Sequence, residues 1–398
     1  MSHPRIYLCL AHMSESSMEQ KFVQEAFDTN WVTPLGPNVT AFEHDLEQWL
    51  LSNGSSAKYV TALSSGTAAL HLALLMCGVQ KDDEVICQSF TFCASANPIV
   101  YLGAHPVFVD SERESWNMSP ILLKQAIEER ISVTGKKPKA IVVTHLYGMP
   151  AMIREIAELS KSYEIPLIED AAEALGSSYD GRPCGTWGDF GVFSFNGNKM
   201  ITTSGGGALI SPSETKKQQA TFLATQARDS FPYYHHTQIG YNYRLSNVCA
   251  GIGRGQMTVL NEHIAHHRHI ATIYKEAFTS VDGIEYHDAP SPLHYSNFWL
   301  STILLAPSLH VVGQQGKGDI DAPNDNVEAL RLALDKEQVE SRPLWKPMHL
   351  QPIYQNAPAY EDNTSTQLFR CGLCLPSGPC VTDEDARRVV DTILSSIK

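Results

Sequence analysis

The sequence lacks three features that would place it in other classes of protein. It has no stretch near the roughly 20 consecutive apolar residues that cross a bilayer. The short apolar run at residues 6–11 is not followed by a signal-peptide cleavage site. There is also no excess of positive charge, because 30 Lys and Arg stand against 43 Asp and Glu, a formal net charge of −13. That sign argues against binding to nucleic acid or to an anionic membrane.

The cysteines do not form the pattern of a disulfide framework. There are nine, an odd number, scattered through apolar stretches of a long chain. This usage is typical of reduced thiols, so we expect a soluble cytoplasmic protein. Cys371 and Cys374 have the spacing of a zinc-binding pair, but no second pair matches them, and a structural zinc site needs four ligands. We therefore predict no metal site.

What the sequence does contain is an alternation of strand and helix patterns. The chain has 398 residues, 43% hydrophobic and 18% charged, which suits a globular protein of two or three domains. Apolar runs predict strands at residues 58–63, 84–87, 106–110, 140–144, 165–169, 191–195 and 207–211. Helical patterns fall between them, at residues 68–77, 94–102 and 153–163. The order predicts an α/β fold with a mostly parallel sheet between helices.

The second half of the chain is less regular. A helical stretch at residues 245–278 leads into a smaller C-terminal part, and the polar, glycine-rich segment 312–326 predicts a surface loop. Within the helical stretch, Gly251, Gly253 and Gly255 favour close helix packing. The histidines at 263, 266, 267 and 269 favour a solvated helix face over a metal site.

Ligands of parallel α/β sheets bind beyond the carboxyl ends of the strands, so the residues there are the candidates for a site. The first candidate is the segment 64–69, Ser-Ser-Gly-Thr-Ala-Ala, which follows a strand and opens a helix. Its small residues and free amide groups favour a phosphate. Ser64 or Ser65 as a plain helix N-cap is the alternative.

The second and third candidates are charged side chains at strand ends. Alternation places Glu169 and Asp170 on opposite faces of their strand, so at most one points into a shared site, and an N-cap role for Asp170 is the alternative. Lys199 follows the strand of Phe193 and Ser194 amid small and amide side chains. A desolvated lysine there would be a neutral amine nucleophile, whereas most lysines are solvated. Each motif is weak alone, and their combination is specific.

With these motifs, the chain resembles the DegT/DnrJ/EryC1/StrS family of sugar-nucleotide aminotransferases over nearly its whole length. The resemblance runs from Pro-Leu-Gly-Pro at 34–37 through the three motifs to Gly-Tyr-Asn-Tyr-Arg-Leu at 240–245. It continues in Arg-Pro-Leu-Trp at 342–345, Met-His at 348–349 and Leu-Pro-Ser-Gly at 375–378. The segments 144–148, 169–176 and 195–199 look closest to the branch that aminates UDP-4-keto-6-deoxy-N-acetylglucosamine in bacillosamine-type pathways.

The resemblance implies a fold-type I enzyme that depends on pyridoxal 5'-phosphate (PLP). Its large domain would span residues 1–260, including the N-terminal segment, and a smaller C-terminal α+β domain would span 261–398. Lys199 would be the Schiff-base lysine and later the proton shuttle, and Asp170 would pair with the pyridinium nitrogen. The remaining cofactor contacts would come from Gly66, Thr67 and Ser194 at the phosphate, Phe92 on the ring, Glu173, Asn196, and Asn242 of the neighbouring subunit. A homodimer with shared active sites follows.

The resemblance also implies the reaction, transfer of an amino group from L-glutamate to C4 of a UDP-linked 4-keto-6-deoxy sugar. Transamination of a dTDP- or GDP-linked keto sugar is the alternative. Many family members carry Gln or His where this chain has Glu173, and we hypothesise that Glu173 marks the UDP-sugar branch. A related sugar dehydratase is disfavoured, because a His replaces the Lys in that branch. A non-catalytic PLP-binding regulator is disfavoured, because it would need a basic surface or an added DNA-binding domain. A structural protein without a cofactor is also disfavoured, because the three strand-end motifs would then have to occur together by chance.

Overall fold

The computed structural model describes residues 4–315 and 322–397. The strands of this part of the chain are β1 Tyr59–Leu63, β2 Glu84–Gln88, β3 His105–Val109, β4 Ala140–Thr144, β5 Leu167–Asp170, β6 Ser178–Tyr179, β7 Arg182–Pro183, β8 Phe190–Ser194, β9 Gly207–Ser211, β10 Ile284–Tyr286, β11 His294–Tyr295, β12 Ser301–Leu305, β13 Arg342–Pro343, β14 Ala359–Tyr360 and β15 Gly372–Leu375. Its α-helices are α1 Met18–Asp28, α2 Pro37–Ser52, α3 Gly66–Met76, α4 Asn97–Tyr101, α5 Pro120–Thr134, α6 Ile153–Tyr163, α7 Glu214–Ala224, α8 Asn247–Met257, α9 Leu260–Phe278, α10 Asp325–Lys336, α11 Thr364–Cys371 and α12 Asp383–Ser396.

The main sheet has eight strands in the order β1-β9-β8-β5-β4-β2-β3-β14. All neighbours are parallel except at β9, which runs antiparallel to both β1 and β8. All seven strands predicted from the sequence are present, with bounds within two residues of those expected. The predicted α/β class with a mostly parallel sheet is therefore confirmed.

Burial on both faces explains why the strands appear as continuous apolar runs. Every residue of β4 is buried, as expected for a central strand of a sheet covered by helices on both faces. Helix α3 is apolar nearly all round, and its residues from Ala68 to Leu74 are buried against the sheet. The register between β4 and β5 places Thr144 beside Asp170 at the carboxyl ends of the two strands.

A second, antiparallel sheet has the order β10-β12-β15-β13. Its apolar face packs with α9, α10 and α12 into a separate core that includes Ile303, Leu330 and Leu373. The short strand β14 leaves this part of the chain and pairs with β3 at the edge of the main sheet. The boundary between a large and a small domain at residue 260 stays a prediction.

Three expectations for local structure were incomplete or wrong. The predicted helix at 94–102 is a 3-10 turn, Cys93–Ser95, followed by α4, and the stretch from 245 is broken into α8 and α9. The predicted loop at 312–326 ends earlier, because Asp325 already begins α10, and its residues 316–321 lie outside the described part of the chain.

The histidines of α9 are not a solvated face. His263 and His267 are buried, while His269 is largely exposed and pairs with Asp383. The Nδ1 atom of His267 lies 3.3 Å from the carbonyl oxygen of Phe298, and burial lowers its pKa to about 3. The prediction failed because residues four apart share one face whether that face meets water or protein.

The glycines of α8 have the packing role that was expected. A Cβ at Gly255 would collide with the backbone of Glu19, and one at Gly253 would press on the ring of Phe42. Because these two positions carry no side chain, α1 and α2 can lie close against α8. Within residues 4–315 and 322–397, no helix combines the length and the hydropathy needed to cross a membrane.

Candidate active site

A cavity of about 880 Å³ opens at the carboxyl ends of the central strands, where the main sheet faces the second one. It brings together eight of the nine residues predicted to bind the cofactor, which are Gly66, Thr67, Phe92, Asp170, Glu173, Ser194, Asn196 and Lys199. The ninth, Asn242, is exposed and does not line this cavity. The strand-end motifs therefore converge in space, as their positions in a parallel sheet imply.

One end of the cavity is the N-terminus of α3. Ser65 is the N-cap, and its Oγ accepts a hydrogen bond of 3.0 Å from the amide of Ala68. The cap and the anion site are compatible, because the amides of Gly66 and Thr67 belong to the first turn and have no partner within the helix. A Cβ at Gly66 would lie 3.1 Å from that of Ser194, so a side chain here would press on strand β8, which approaches this turn closely.

Asp170 ends β5 with its carboxylate toward the cavity, and Glu169 points the opposite way. The Asp170 Oδ2 accepts a 2.7 Å hydrogen bond from the hydroxyl of Ser95, and Oδ1 accepts one from the amide of Ala172. No helix begins at Asp170, so the N-cap alternative is wrong. Glu169 is fully buried, 2.9 Å from Nε2 of His145. The alternation of side chains along β5 therefore directs the Asp170 carboxylate to the cavity and the Glu169 carboxylate to the interior.

Lys199 is not the solvated lysine of the alternative interpretation, since only 14% of its side chain is exposed. Its Nζ lies 3.2 Å from Oε1 of Glu173 and 4.0 Å from the centre of the Trp299 ring. The lysine thus sits between a buried carboxylate and an aromatic face.

Glu173 is buried below the lysine and is held from its other side. Its Oε2 accepts a 2.8 Å hydrogen bond from the backbone amide of Tyr147, a residue with a left-handed backbone (φ 55°). Burial raises the pKa of Glu173 to about 7, although Lys199 and the Tyr147 amide favour its charged form. The carboxyl group can therefore bind or release a proton near neutral pH.

This raised pKa predicts a pH dependence of stability for the cofactor-free protein. Between pH 4.5, the ordinary pKa, and about 7, the native state binds more protons at Glu173 than the unfolded state does. Its contribution to the free energy of unfolding therefore falls by about 3 kcal/mol as pH rises through this window. Glu173→Gln cannot titrate, so we expect the difference between wild type and variant in urea denaturation to change across it.

The matched control is Glu47→Gln, which breaks the 2.8 Å pair between Glu47 and Lys217 away from the cavity. Unfolding curves of wild type and Glu173→Gln that keep a constant separation from pH 4.5 to 7.5 would contradict the prediction.

Much of the cavity wall was missed by the sequence analysis. The N-terminal segment contributes Leu8, Cys9 and Leu10, and the second sheet region contributes Trp299, Glu340, Arg342, Trp345 and Lys346. The indole of Trp345 lies 5.6 Å from the ring of Phe92 and 5.0 Å from that of Tyr147, centre to centre. The motif at 342–345 was a signal for Arg342 and Trp345, whereas nothing in the sequence marked Trp299.

The residues at the cavity fit PLP by the chemistry of their groups. A helix N-terminus with a neighbouring hydroxyl suits a phosphate, a carboxylate suits a protonated ring nitrogen, and a shielded amine suits a carbonyl carbon. All three face one cavity closed on one side by aromatic rings. The fold and this set of groups define a PLP-dependent aminotransferase of fold type I.

Comparison with known proteins gives the family. The family model for DegT/DnrJ/EryC1/StrS aminotransferases matches residues 13–394, and the chain belongs to this family. The chain is similar to EpsN of Bacillus subtilis (strain 168), 46% identical over 98% of this chain and 96% of that one. It is 35% identical to the GDP-perosamine synthase of Escherichia coli O157:H7, over 97% and 98% of the two chains. The crystal structure of the aminotransferase TlmJ from Streptoalloteichus hindustanus superposes with a TM-score of 0.85 at 27% identity, covering 98% of each chain.

Proposed function

We propose that this enzyme transfers an amino group from L-glutamate to C4 of a nucleotide-linked 4-keto-6-deoxy sugar. The substrate of first choice is the UDP-linked 2-acetamido-2,6-dideoxy-4-keto-hexose. The observation that carries the proposal is the convergence of Lys199, Asp170 and the α3 N-terminus on one cavity of about 880 Å³. That volume exceeds what the cofactor alone needs, so it leaves room for a sugar above the ring.

The residues that line the cavity have different proposed roles toward the cofactor. The amides of Gly66 and Thr67 with the Ser194 hydroxyl would hold the phosphate, Phe92 would lie against the ring, Asn196 would contact the cofactor, and Asp170 would keep the ring nitrogen protonated. Bound in this way, PLP serves as an electron sink for the carbon that loses or gains a proton. Lys199 would carry that proton, because its amine faces the cavity and only 14% of its side chain is exposed.

Glu173 is suited to hold the proton balance around Lys199. It lies 3.2 Å from the amine and has a pKa of about 7, so it can lose its proton when the lysine is charged and regain it when the lysine is neutral. This coupling keeps the net charge of the pair nearly constant in a buried place, where an unpaired charge is costly. We infer that a Glu at this position, rather than Gln, serves the UDP-sugar branch.

A homodimer with shared sites is part of the proposal. Asn242 lies outside its own cavity and is exposed, next to a segment rich in exposed apolar side chains. These side chains are Phe231, Tyr233, Tyr234 and Ile239, exposed by 46%, 60%, 79% and 82%. A surface of this kind supports a contact with a second copy of the chain, through which Asn242 would reach the partner's cofactor phosphate.

The second candidate substrate is a GDP-linked 4-keto-6-deoxy sugar. Its support is the similarity to GDP-perosamine synthases, at 35% for Escherichia coli O157:H7 and 32% for Vibrio cholerae, over 94% or more of this chain. A dTDP-linked sugar is a further alternative. The same side chains would carry out the amino transfer for all of these substrates. A test must therefore compare substrates that differ in the base of the nucleotide and in the 2-acetamido group.

The test follows absorbance of the PLP-loaded enzyme through the two halves of the reaction. L-glutamate should bleach the visible band, and UDP-4-keto-6-deoxy-N-acetylglucosamine should restore it with release of a 4-amino sugar. Restoration by the GDP- or dTDP-linked sugar alone would move the assignment to that nucleotide. A protein that gains no visible band with PLP would contradict the proposal and favour a non-catalytic role.

A further inference from the structure

A chain of buried hydroxyl groups ends on the carboxylate of Asp170. The Oγ of Ser95 lies 2.7 Å from Oδ2 of Asp170, and Oγ1 of Thr91 lies 2.7 Å from the Oγ of Ser95. The Oγ1 of Thr144 lies 2.9 Å from that of Thr91. All three hydroxyl residues are buried. None of them was predicted from the sequence to act in the site.

The direction of the hydrogen bonds follows from counting protons. Each hydroxyl has one proton to donate, and an ionised carboxylate can only accept. Ser95 therefore gives its proton to Asp170 and must accept from Thr91. Thr91 has then used its own proton, so Thr144 donates to Thr91, which lies 2.9 Å away, rather than to Ser95, which lies 3.4 Å away. The three hydroxyls form one ordered relay, Thr144 to Thr91 to Ser95 to Asp170.

The fold explains why these residues meet. Thr144 and Asp170 are register neighbours at the carboxyl ends of β4 and β5. Thr91 lies in the loop after β2, and Ser95 ends the 3-10 turn Cys93–Ser95 in the same connection. The strand order places β2 next to β4, so the loop after β2 lies over the end of β5 as well. The turn that replaces the predicted helix start at 94 is what brings Ser95 onto the carboxylate.

We infer that Ser95, supported by Thr91 and Thr144, is a positioning residue that fixes and stabilises the Asp170 carboxylate for a protonated ring nitrogen. A donated hydrogen bond stabilises the charge of a carboxylate, and a chain of aligned hydroxyls strengthens the last bond. It also fixes the rotation of the carboxyl group, with the amide of Ala172 on Oδ1 and Ser95 on Oδ2. The inference rests on the proposed role of Asp170 toward PLP.

The inference requires that Ser95 acts through the ring nitrogen and not through general support of the fold. A cofactor analogue makes that distinction, because 1-deazapyridoxal phosphate has carbon in place of the ring nitrogen and no proton to pair with Asp170. The quantity to measure is the ratio of dissociation constants, deaza analogue over PLP, for the full-length chain freed of its cofactor. It is measured by titration and read by absorbance and fluorescence, so that activity is not needed.

We expect wild type to prefer PLP strongly, and Ser95→Ala to lower this ratio about tenfold, the size of one hydrogen bond to a charged group. Thr91→Val, which removes a hydroxyl at constant shape, should lower it less, and Thr91→Ser should restore it. Thr302→Val, at a buried threonine of β12 in the second sheet, is the matched control and should leave the ratio unchanged. In the double variant Ser95→Ala, Thr91→Val, the second change should add nothing.

Two results would overturn the inference. If Ser95→Ala weakens binding of PLP and of the deaza analogue equally, Ser95 supports only the fold. If it changes neither constant, the hydrogen bond to Asp170 has no effect on the cofactor. Should Ser95→Ala not fold, Thr91→Val and Thr91→Ser carry the same comparison. A different failure is separable: a wild-type ratio near one would contradict the proposed pairing of Asp170 with the ring nitrogen itself.

Discussion

Replacing Lys199 by Ala is expected to abolish amino transfer, with a loss of about 10⁴-fold or more in kcat. Among the ion pairs of the described residues, Lys199 is the only lysine paired with Glu173, at 3.2 Å. Its amine also lies 4.0 Å from the centre of the Trp299 ring. The variant should also lose the visible absorbance band of the lysine-bound cofactor. Steady-state kinetics with L-glutamate and the keto sugar, together with a spectrum of the PLP-loaded protein, measure both effects.

The variant is expected to fold in spite of the charge that it loses. Removing the lysine leaves the buried carboxyl of Glu173 without its cation, which would be costly if the group stayed ionised. Its pKa is already about 7, so it can bind a proton instead. The free energy of unfolding at pH 6 should therefore change by no more than about 1 kcal/mol.

Lys199→Arg is the matched control for charge. The guanidinium keeps a cation beside Glu173 but cannot become a neutral amine near neutral pH. We expect it to be as inactive as Lys199→Ala. Recovery of turnover in the Arg variant would show that the positive charge, and not the amine, is what the reaction requires, and the assignment of Lys199 would be wrong.

The parts of the fold that the sequence predicted are those in which one segment carries its own signal. The run Ala-Ile-Val-Val-Thr of β4 is buried on both faces, so its composition alone marks it as a central strand. Asp170 and Lys199 were selected as candidates because Asp170 ends one such strand, β5, and Lys199 lies in the segment after another, β8. Parallel strands end at one edge, and the convergence of these two residues needed no further information.

The parts that were missed depend on pairs that are distant in sequence. Trp299 is 100 residues from Lys199 and reaches it from the second sheet region, so no spacing could reveal their contact. Ser95 lies in the connection after β2 and Thr144 ends β4, and their hydroxyls meet only because of the strand order. The prediction for the histidines of α9 failed for another reason. Helical periodicity identifies which residues share a face, but it does not say whether water or protein covers that face.

A substitution in the triple glycine 205–207 is expected to have the second large effect, on both stability and cofactor binding. Gly207 begins β9, and a Cβ there would lie against the backbone nitrogen of Gly66 and the carbonyl of Ser65, too close for any non-bonded pair. Backbone atoms cannot turn aside as a flexible side chain can. Gly207→Ala must therefore push the start of α3 away from β9, and with it the amides that we propose to bind the cofactor phosphate.

We expect Gly207→Ala to lower the free energy of unfolding by about 3 kcal/mol, the upper range for added atoms in a packed interior. The dissociation constant for PLP should rise by more than about tenfold, because the amides of Gly66 and Thr67 leave the positions that face the phosphate. Urea denaturation measures the first effect and a fluorescence titration the second. The affinity for pyridoxal, which lacks the phosphate, should change much less.

Gly205→Ala is the matched control two residues earlier in the same triplet. A Cβ at Gly205 meets no atom within 4 Å, and its backbone is not among the left-handed positions of the chain. The added methyl group should therefore leave the free energy of unfolding near wild type, although Gly205 itself lines the cavity. If both variants lost stability equally, the flexibility of the triplet, and not the contact between β9 and α3, would account for the loss. If Gly207→Ala bound PLP like wild type, the α3 N-terminus would not be the phosphate site.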